Sequence, residues 1–315
     1  MPQLPTSCNL CPRACGVNRA AGERGVCGAG SDMAVARAAL HFWEEPPISG
    51  ESGSGTVFFS FCPLRCSYCQ NAVIAEGGLG APMSTDDLAR AMLDLQGQGA
   101  LNVNLVTATH YAPLVVDAVA LARTEGLNLP VVWNTSGYET IETLRMLKGT
   151  VDVYLTDFKY ASAQAAARYS QAPDYPGVAL AALGEMVRQT GSPAFDEYRG
   201  QRRMTRGVVV RHLLLPGCLE DSKRVVELVC SRFGRDVLLS IMNQYTPVLR
   251  TRADAGDERA ARVLERCPEL ARRVSEADYE ALLDFADGLG VEDYFWQEGG
   301  ACEESFIPEF YGVRQ

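Results

Sequence analysis

Basic residues are in the minority in this chain. Its 315 residues include 29 lysines and arginines against 39 aspartates and glutamates, so the formal net charge is −10. The isoelectric point lies near 4.9. A protein that follows a nucleic-acid backbone needs a basic surface, because a negative field repels phosphates. The charge balance disfavours nucleic acid, and we expect no such partner.

Long apolar runs are also absent. No run approaches the roughly 18 apolar residues that a membrane-spanning helix requires. Residues 1–15, MPQLPTSCNLCPRAC, do not show the basic segment and following apolar stretch of a secretory signal. We therefore expect a soluble, cytoplasmic protein that does not contact a membrane.

Cysteine, in contrast, is abundant, with eleven residues in the chain. Seven of them lie in two short clusters, whereas Cys218, Cys230, Cys267 and Cys302 are scattered. Disulfides belong mainly to secreted proteins. Without a secretory signal, clustered thiols indicate metal binding rather than disulfide bridges.

Six apolar segments rich in Val, Leu, Ile and Phe predict β-strands, and stretches of helical periodicity lie between them. The strands are expected at residues 55–61, 101–108, 130–135, 151–159, 207–215 and 236–243. Alternation of strand and helix favours right-handed crossovers and a parallel sheet. The predicted fold class is therefore α/β, either a six-stranded open barrel or a doubly wound sheet.

The length allows one large domain with extensions at both ends. We expect a Cys-rich, metal-binding N-terminal extension over residues 1–50 and the sheet domain over 51–245. Residues 246–315 are expected to form a C-terminal helical segment and a tail packed on the sheet domain. In the tail, Phe306, Ile307 and Phe310 would pack on the barrel or cover its opening.

Polar side chains stand where the apolar strands end. In VDVYLTDFK, residues 151–159, alternate positions read Val, Val, Leu, Asp and Lys. One face of this strand therefore turns from apolar to charged toward its end, which directs Asp157 and Lys159 into a common mouth. Parallel α/β proteins bind ligands at the carboxyl ends of their strands, so a site is predicted there.

Three cysteines follow the first predicted strand in SFCPLRCSYCQN, residues 60–71. Thiolates are the usual ligands of iron–sulfur clusters, and three of them leave one iron of a four-iron cluster with an open position. A structural zinc site would need a fourth Cys or His, and none stands at finger-like spacing after Cys69. The pattern therefore favours a reactive cluster over a structural zinc ion.

Cys62, Cys66 and Cys69 form a C-x3-C-x2-C motif, with Tyr68 before the last cysteine, and by this motif the chain resembles the radical SAM superfamily. The resemblance implies a partial (β/α)6 barrel and a 4Fe-4S cluster whose open iron binds S-adenosylmethionine (SAM). Reductive cleavage of SAM would release a 5′-deoxyadenosyl radical, which would abstract a hydrogen atom from the substrate.

A narrower likeness is to pyruvate formate-lyase activating enzymes and the uncharacterised radical SAM proteins related to them. Asp157 and Lys159 match an Asp-x-Lys that binds the methionine end of SAM in those enzymes, and Arg211 matches an arginine that contacts it. A Gly-Gly-Glu element of those relatives is replaced here by residues 107–110, TATH. The implied cofactor-binding residues are Tyr68, Thr107, Thr109, His110, Asn134, Asp157, Lys159 and Arg211.

Four further thiols, Cys8, Cys11, Cys15 and Cys27, form a C-x2-C-x3-C-x11-C array near the N-terminus. Four cysteinate ligands suit either a zinc ion or an auxiliary iron–sulfur cluster. Such a metal could hold together a segment without a core of its own. It could also relay electrons or anchor a substrate.

These residues predict a radical SAM protein, in the first place an enzyme. Three alternatives remain for its function. The chain would activate a glycyl radical enzyme, modify a small molecule or peptide, or act as a non-catalytic iron–sulfur electron carrier. Cys218, at the mouth end of the fifth strand, would donate a hydrogen atom in the second case or be an inert thiol. The expected partners are a low-potential electron donor of the flavodoxin or ferredoxin type and a glycyl radical enzyme or other substrate.

Overall fold

A computed structural model describes residues 4–291 and 294–296. The strands in these residues are β1 (Met33–His41), β2 (Ser54–Phe59), β3 (Ala81–Met83), β4 (Val103–Val106), β5 (Val131–Thr135), β6 (Val153–Asp157), β7 (Ala194–Tyr198), β8 (Gln201–Leu213), β9 (Leu238–Met242) and β10 (Tyr294–Phe295). The α-helices are α1 (Pro46–Ser49), α2 (Ala72–Ala75), α3 (Thr85–Gly97), α4 (Ala112–Thr124), α5 (Ile141–Met146), α6 (Ala163–Ser170), α7 (Tyr175–Thr190), α8 (Leu219–Phe233), α9 (Val248–Asp254), α10 (Glu258–Arg266) and α11 (Glu276–Gly288).

Six parallel strands form the centre of the sheet, in the order β2, β4, β5, β6, β8 and β9. Each of them overlaps one of the six segments predicted from the sequence, although β8 begins at Gln201, six residues before its predicted segment. Helices connect most neighbouring pairs, as parallel pairing requires, because a tight turn cannot return the chain to the start of the next strand. The predicted α/β class is confirmed, and the open parallel sheet is that of a partial (β/α)6 barrel.

Four strands of the sheet, β1, β3, β7 and β10, are not predicted by the sequence, and β1 is the longest of them. β1 pairs with β2 in antiparallel orientation, from Val35 opposite Phe59 to His41 opposite Ser54. Four of its nine residues are alanines, which are uncommon in strands, so propensity does not indicate one here. Although β1 belongs to residues 1–50, it adds a strand to the edge of the barrel sheet.

The C-terminal helical segment packs on the barrel. The Tyr279 hydroxyl of α11 donates a hydrogen bond of 2.8 Å to the Ile241 carbonyl of β9. The Tyr245 hydroxyl, after β9, donates one of 2.6 Å to the Leu270 carbonyl. Phe306, Ile307, Phe310 and Cys302 lie outside the described residues. In the part of the chain that the structure describes, no helix has both the length and the apolar character needed to span a bilayer.

The interior of the barrel is divided into an apolar bottom and a polar mouth. Ile48 of α1 is fully buried against the bottom of the barrel, where it packs with Val132, Val153, Leu155, Met204 and Val209. Two residues further along β5, β6 and β8, the same faces carry Asn134, Asp157 and Arg211. The alternation along each strand therefore places these six apolar side chains, called the apolar plug here, beneath a polar cavity.

We predict that Ile48→Ala destabilises the protein by about 2–5 kcal/mol, because it leaves a cavity in the plug that rigid strands cannot close. The free energy of unfolding can be measured by urea titration under anaerobic conditions. The matched control is Leu289→Ala, which removes the same number of carbon atoms from a residue that is 41% exposed, with an expected effect within about 0.5 kcal/mol. Equal losses of unfolding free energy in the two variants would contradict the stabilising role of Ile48 in the apolar plug.

Candidate active site

A cavity of about 380 Å³ lies at the carboxyl ends of the parallel strands. This is the edge at which parallel α/β proteins bind ligands. The sequence-predicted residues that line it are Cys62, Cys66, Tyr68, Cys69, Thr107, Asn134, Asp157, Lys159 and Arg211. The structure thus brings together residues from five strands and the loops that follow them.

The loop after β2, residues 60–71, carries three of these cysteines and is called the cluster loop here. Phe61 and Arg65 adopt positive φ angles of 71° and 55°, a conformation that non-glycine residues adopt at a cost. The Ser67 amide donates a hydrogen bond of 2.8 Å to the Tyr169 carbonyl. The Ser170 hydroxyl donates one of 3.0 Å to Cys66 Sγ. The end of α6 therefore braces the strained loop.

The cysteines of the cluster loop are suited to a cationic ligand. Burial raises the pKa of Cys62 to about 11 and that of Cys69 to about 12, and the neighbouring Cys66 thiol adds to both shifts. Buried thiols with such pKa values give up their protons to a metal, whose charge replaces them. Within residues 4–291 and 294–296, no three or more His, Cys, Asp or Glu side chains are grouped around a single metal ion. A four-iron cluster does not require that grouping, because its ligands bind separate irons.

Tyr68 forms part of the cavity wall beside the cysteines. Its ring makes edge-to-face contacts with Tyr160, Tyr169 and Tyr245, and its hydroxyl accepts a hydrogen bond of 3.0 Å from the Tyr160 hydroxyl. Burial raises the pKa of Tyr68 well above its usual value, with further contributions from Tyr160 and Cys66. The side chain therefore stays a neutral phenol, and the aromatic group gives the cavity a rigid, water-poor wall.

Asp157 and Lys159 meet at the end of β6, as the alternation predicts. The Lys159 Nζ lies 2.5 Å from Asp157 Oδ2, and the two side chains are only partly exposed. Burial alone would lower the pKa of Lys159, but Asp157 and the nearby Cys66 thiol raise it overall. The ammonium group is therefore charged at neutral pH and lies beside the cluster loop.

The floor of the cavity is a buried cluster of charges around Arg211. Its guanidinium donates two hydrogen bonds to Glu45, one of 2.8 Å from Nε and one of 2.7 Å from Nη2. It also forms an ion pair with Glu44. Glu44 Oε1 accepts further hydrogen bonds from the amides of Asn104 at 2.9 Å and Asn134 at 3.2 Å. This floor separates the apolar plug from the cavity above it.

Sequence reasoning did not assign a role to Glu44 or Glu45. Two acids followed by two prolines are typical of a helix start, and α1 indeed begins at Pro46. Their place inside the barrel follows only from the path of the chain between β1 and β2. Burial alone would raise the pKa of Glu45, but the Arg211 charge and its hydrogen bonds lower it overall.

Thr107, Thr109 and His110 are separated by the structure. Thr107 lines the cavity, with a φ of 61°. Thr109 and His110 are not among the cavity-lining residues, because the turn after Thr107 directs them into the core. The Thr109 hydroxyl donates a hydrogen bond of 2.8 Å to buried Glu139. The His110 Nε2 lies 2.9 Å from the Ser60 carbonyl, and burial lowers its pKa to about 3.

Cys218 also lies away from the cavity-lining residues. Its sulfur is 3.5 Å from the Tyr169 hydroxyl, which itself donates a hydrogen bond of 2.6 Å to Glu269. Burial raises the pKa of Cys218. In this position the thiol packs behind the aromatic wall of the cavity, and nothing in its contacts directs it to a reacting atom.

The four N-terminal cysteines are neighbours in the fold. Cys8, Cys11 and Cys27 are buried, and burial raises the pKa of Cys11 to about 12, with smaller contributions from the other three thiols. A Cβ atom added to Gly25 would lie 2.3 Å from Cys15 Sγ, so only glycine leaves room for that sulfur. In the described residues, no three of these thiols are placed so that they could hold one metal ion. The second metal site therefore stays a prediction.

We predict that Arg211→Met destabilises the protein by about 3–5 kcal/mol at pH 8, because it leaves two buried carboxylates without their counter-charge. In the wild type, the lowered pKa of Glu45 means that its stabilising contribution is lost only as the pH falls through that lowered value. In the variant, Arg211 no longer opposes the burial that raises the pKa of Glu45, so the destabilisation should shrink as the pH falls to 5.5. Urea titrations at both pH values measure the difference, and a loss that does not depend on pH would contradict the prediction.

Comparisons with known proteins agree with this architecture. The family model described as the radical SAM superfamily matches residues 56–177. An uncharacterized protein of Methanocaldococcus jannaschii is 26% identical over 293 residues, which cover 91% of this chain and 76% of the relative. The crystal structure of a radical SAM methyltransferase from Sphaerobacter thermophilus has a TM-score of 0.50 at 15% identity, over 78% of this chain and 67% of that one. At this identity the structural likeness shows the fold alone.

The matched segment begins in β2 and contains the cluster loop, Asn134 and the pair of Asp157 and Lys159. Residues 56–177 of the chain therefore resemble the radical SAM superfamily, and this segment carries most of the candidate site.

Proposed function

We propose that this protein is an enzyme that binds a 4Fe-4S cluster through Cys62, Cys66 and Cys69 and binds SAM in the cavity beside it. A radical SAM domain implies both cofactors. The observation that supports the residue assignment is that the three cysteines line the same cavity as Asp157, Lys159 and the Arg211 floor. When bound, the cluster would supply the electron that cleaves SAM to a 5′-deoxyadenosyl radical for hydrogen-atom abstraction.

The charged side chains of the cavity suit the methionine end of SAM, which carries an amino and a carboxylate group. Asp157 offers a carboxylate for the amino group, and Lys159 offers an ammonium group for the carboxylate. Arg211 is held in a fixed orientation by two glutamates. Asn134 and Thr107 add polar groups at the ends of β5 and β4. Orienting the cofactor in this way would reduce the entropy cost of reaction.

The apolar part of the cavity would protect a reactive species from water. Phe58, Phe59, Leu64 and Tyr68 are all nearly fully buried, and they line the side of the cavity next to the cluster loop. Exclusion of water prevents side reactions of a bound intermediate. We therefore propose that the substrate enters the cavity past Trp43 and Trp296, which line it and are about half exposed.

The substrate is proposed at the level of class. The likeness to activating enzymes favours a glycyl radical enzyme whose glycine segment enters past Trp43 and Trp296, since large aromatic side chains are enriched where proteins bind partners. A small molecule or a peptide is the second candidate, because the cavity of about 380 Å³ lies in the range of small-molecule sites. In either case we propose that a flavodoxin- or ferredoxin-type protein reduces the cluster.

The proposed reaction is tested by forming 5′-deoxyadenosine from SAM with reconstituted, reduced protein under anaerobic conditions. We expect product with the wild type and none above background with Cys66→Ala. The matched control is Cys230→Ala, whose half-buried thiol on α8 is not among the cavity-lining residues and which should retain activity. If SAM neither forms product nor changes the spectrum of the reduced cluster, the protein is an electron carrier and the proposal is wrong.

The Cys218→Ala variant tests whether the second substrate class uses this thiol, which lies outside the cavity lining, as a hydrogen donor. Activation of a glycine segment requires no hydrogen donor, so this variant should keep both SAM cleavage and formation of a glycyl radical, which electron paramagnetic resonance detects on the partner. If Cys218→Ala keeps SAM cleavage but loses turnover of a small molecule or peptide, the second candidate is favoured.

We predict that Ser170→Ala lowers the reduction potential of the cluster by tens of millivolts. The serine hydroxyl donates a hydrogen bond of 3.0 Å to Cys66 Sγ, and hydrogen bonds to cluster sulfurs favour the reduced, more negative state. An anaerobic redox titration followed by electron paramagnetic resonance measures the shift. Tyr160→Phe is the control, because it removes the hydroxyl that bonds to Ser170 at 2.7 Å but leaves the bond to sulfur. An unchanged potential in Ser170→Ala would contradict the assignment.

A further inference from the structure

The cluster loop and the N-terminal segment that packs on it form a basic region in an acidic protein. Residues 4–31 and 60–71 together contain four arginines and one glutamate, so their formal net charge is +3, whereas that of the whole chain is −10. The arginines are Arg13, Arg19, Arg24 and Arg65. None of the described residues 4–31 lines the cavity. The basic region therefore lies outside the candidate active site.

Hydrogen bonds hold the N-terminal segment against the cluster loop. The Arg13 Nε donates to the Pro63 carbonyl at 3.1 Å, and a terminal nitrogen of the same side chain donates to the Leu64 carbonyl at 3.2 Å. In the opposite direction, the Arg65 side chain donates a hydrogen bond of 3.0 Å to the carbonyl of Val26. The two segments therefore share one continuous surface.

This surface also carries exposed apolar side chains. Val26 is 44% exposed, and Val73, on the short helix α2 that follows the cluster loop, is 48% exposed. The ring of Phe61 packs against both of the backbone segments that carry these valines. A Cβ atom on Gly28 would lie 3.0 Å from that ring, and one on Gly77 would overlap with it. Exposed apolar side chains among charged ones are typical of surfaces that bind another protein.

The charges of Arg24 and Arg65 are available to a partner. Arg24 is exposed, and it contacts the Gly28 carbonyl at 3.2 Å and the ring of Phe61 at 5.8 Å. Arg65 is half-buried. Among the residues that the structure describes, neither arginine forms an ion pair with a carboxylate. An acidic partner could therefore pair with both of them without breaking an existing ion pair.

The same surface adjoins the thiols that are proposed to hold the cluster. Phe61 precedes Cys62 in the chain, and Arg65 precedes Cys66. Phe61 and Cys62 also line the cavity, so the loop that forms one wall of the cavity contributes its other side to the surface. Electron transfer slows steeply with distance, and a protein bound here would be separated from the cluster by little more than this loop. The mouth beside Trp43 would stay open for the substrate.

We propose that Arg24, Val26, Phe61, Arg65 and Val73 form the docking surface for the electron carrier, and that this carrier is an acidic protein. The inference rests on the proposed function in that the cluster loop is taken to hold the cluster. Opposite charges steer redox partners into contact, and the interfaces between such partners are small. On contact, the reduced carrier gives up the electron that the cluster gains, and the oxidised carrier then dissociates.

The test measures how fast a reduced flavodoxin of acidic isoelectric point reduces the reconstituted cluster, by anaerobic stopped-flow absorbance. We expect the second-order rate constant to fall as the salt concentration rises from about 0.05 M to about 0.5 M, because salt screens exposed charges. Arg24→Glu should lower the rate constant about tenfold at low salt, and the difference from the wild type should shrink at high salt. Arg24→Lys keeps the positive charge and should therefore retain most of the rate.

The matched control is Arg202→Glu, which makes the same change in net charge. Arg202 is also exposed and also lies over a phenylalanine ring, that of Phe195 at 4.0 Å. It belongs to the part of β8 that pairs with β7 beyond the amino ends of the parallel strands, opposite the cluster loop. This variant should keep the rate constant of the wild type. Photoreduced deazaflavin, a small reductant that needs no docking surface, should reduce the cluster of every variant equally, which shows that the cluster is intact.

Val26→Asp is a second variant that does not depend on Arg24. It places a negative charge on an exposed side chain and leaves the Val26 carbonyl that accepts the hydrogen bond from Arg65. We expect it to slow reduction by flavodoxin as Arg24→Glu does, without affecting reduction by deazaflavin.

Rate constants with flavodoxin that are equal in the wild type, Arg24→Glu and Val26→Asp would overturn the proposal. So would a cluster that deazaflavin reduces but neither flavodoxin nor an acidic ferredoxin does. If both variants leave reduction unchanged but slow the modification of a protein substrate, the surface binds that substrate and the proposal is wrong. Reduction is measured without SAM, so a protein that fails to form 5′-deoxyadenosine can still support the docking surface, and the two proposals fail independently.

Discussion

The arrangement of the site depends on the buried cluster of Arg211, Glu44 and Glu45. The arginine comes from β8, whereas the two glutamates come from the connection between β1 and β2, so this cluster joins distant parts of the chain inside the barrel. Buried charges are stable only when they are paired and hydrogen-bonded. The amides of Asn104 and Asn134 complete the hydrogen bonds of Glu44. The pairing of Arg211 with Glu44 and Glu45 forms the floor of the cavity, and this floor limits the depth to which a ligand can enter.

Above that floor, the chemistry of the cavity follows from the geometry of parallel strands. Every second residue of a strand faces the interior, so the step from Leu155 to Asp157 on β6 takes the wall from apolar to charged. The same step occurs on β8 from Val209 to Arg211. Because the strands are parallel and in register, these changes occur at one level. A polar site above a dry plug is the result.

The cluster loop is held by neighbours more than by its own conformation. Phe61 and Arg65 adopt strained backbone angles, which persist only where surrounding contacts compensate for them. The end of α6 supplies one set of contacts through Tyr169 and Ser170. Arg13 supplies another from the N-terminal side. A loop supported from two sides keeps its three thiols in place before any ligand arrives, which is the condition for precise positioning of a bound group.

The six parallel strands, the three-cysteine motif and the charged end of β6 could be predicted from the sequence, because hydrophobic periodicity and short motifs are local properties. The places of Glu44, Glu45 and Arg13 could not, since each depends on contacts between segments that are far apart in the chain. The alanine-rich β1 was missed because pairing with β2 outweighs its propensity. His110 and Cys218 stand near strand ends in the sequence, but the turn after each strand directs their side chains away from the cavity. The residues alone determined which chemical groups are available and on which strand each one stands, whereas tertiary packing decided which of them face one another, because side-chain direction after a strand is set by long-range contacts.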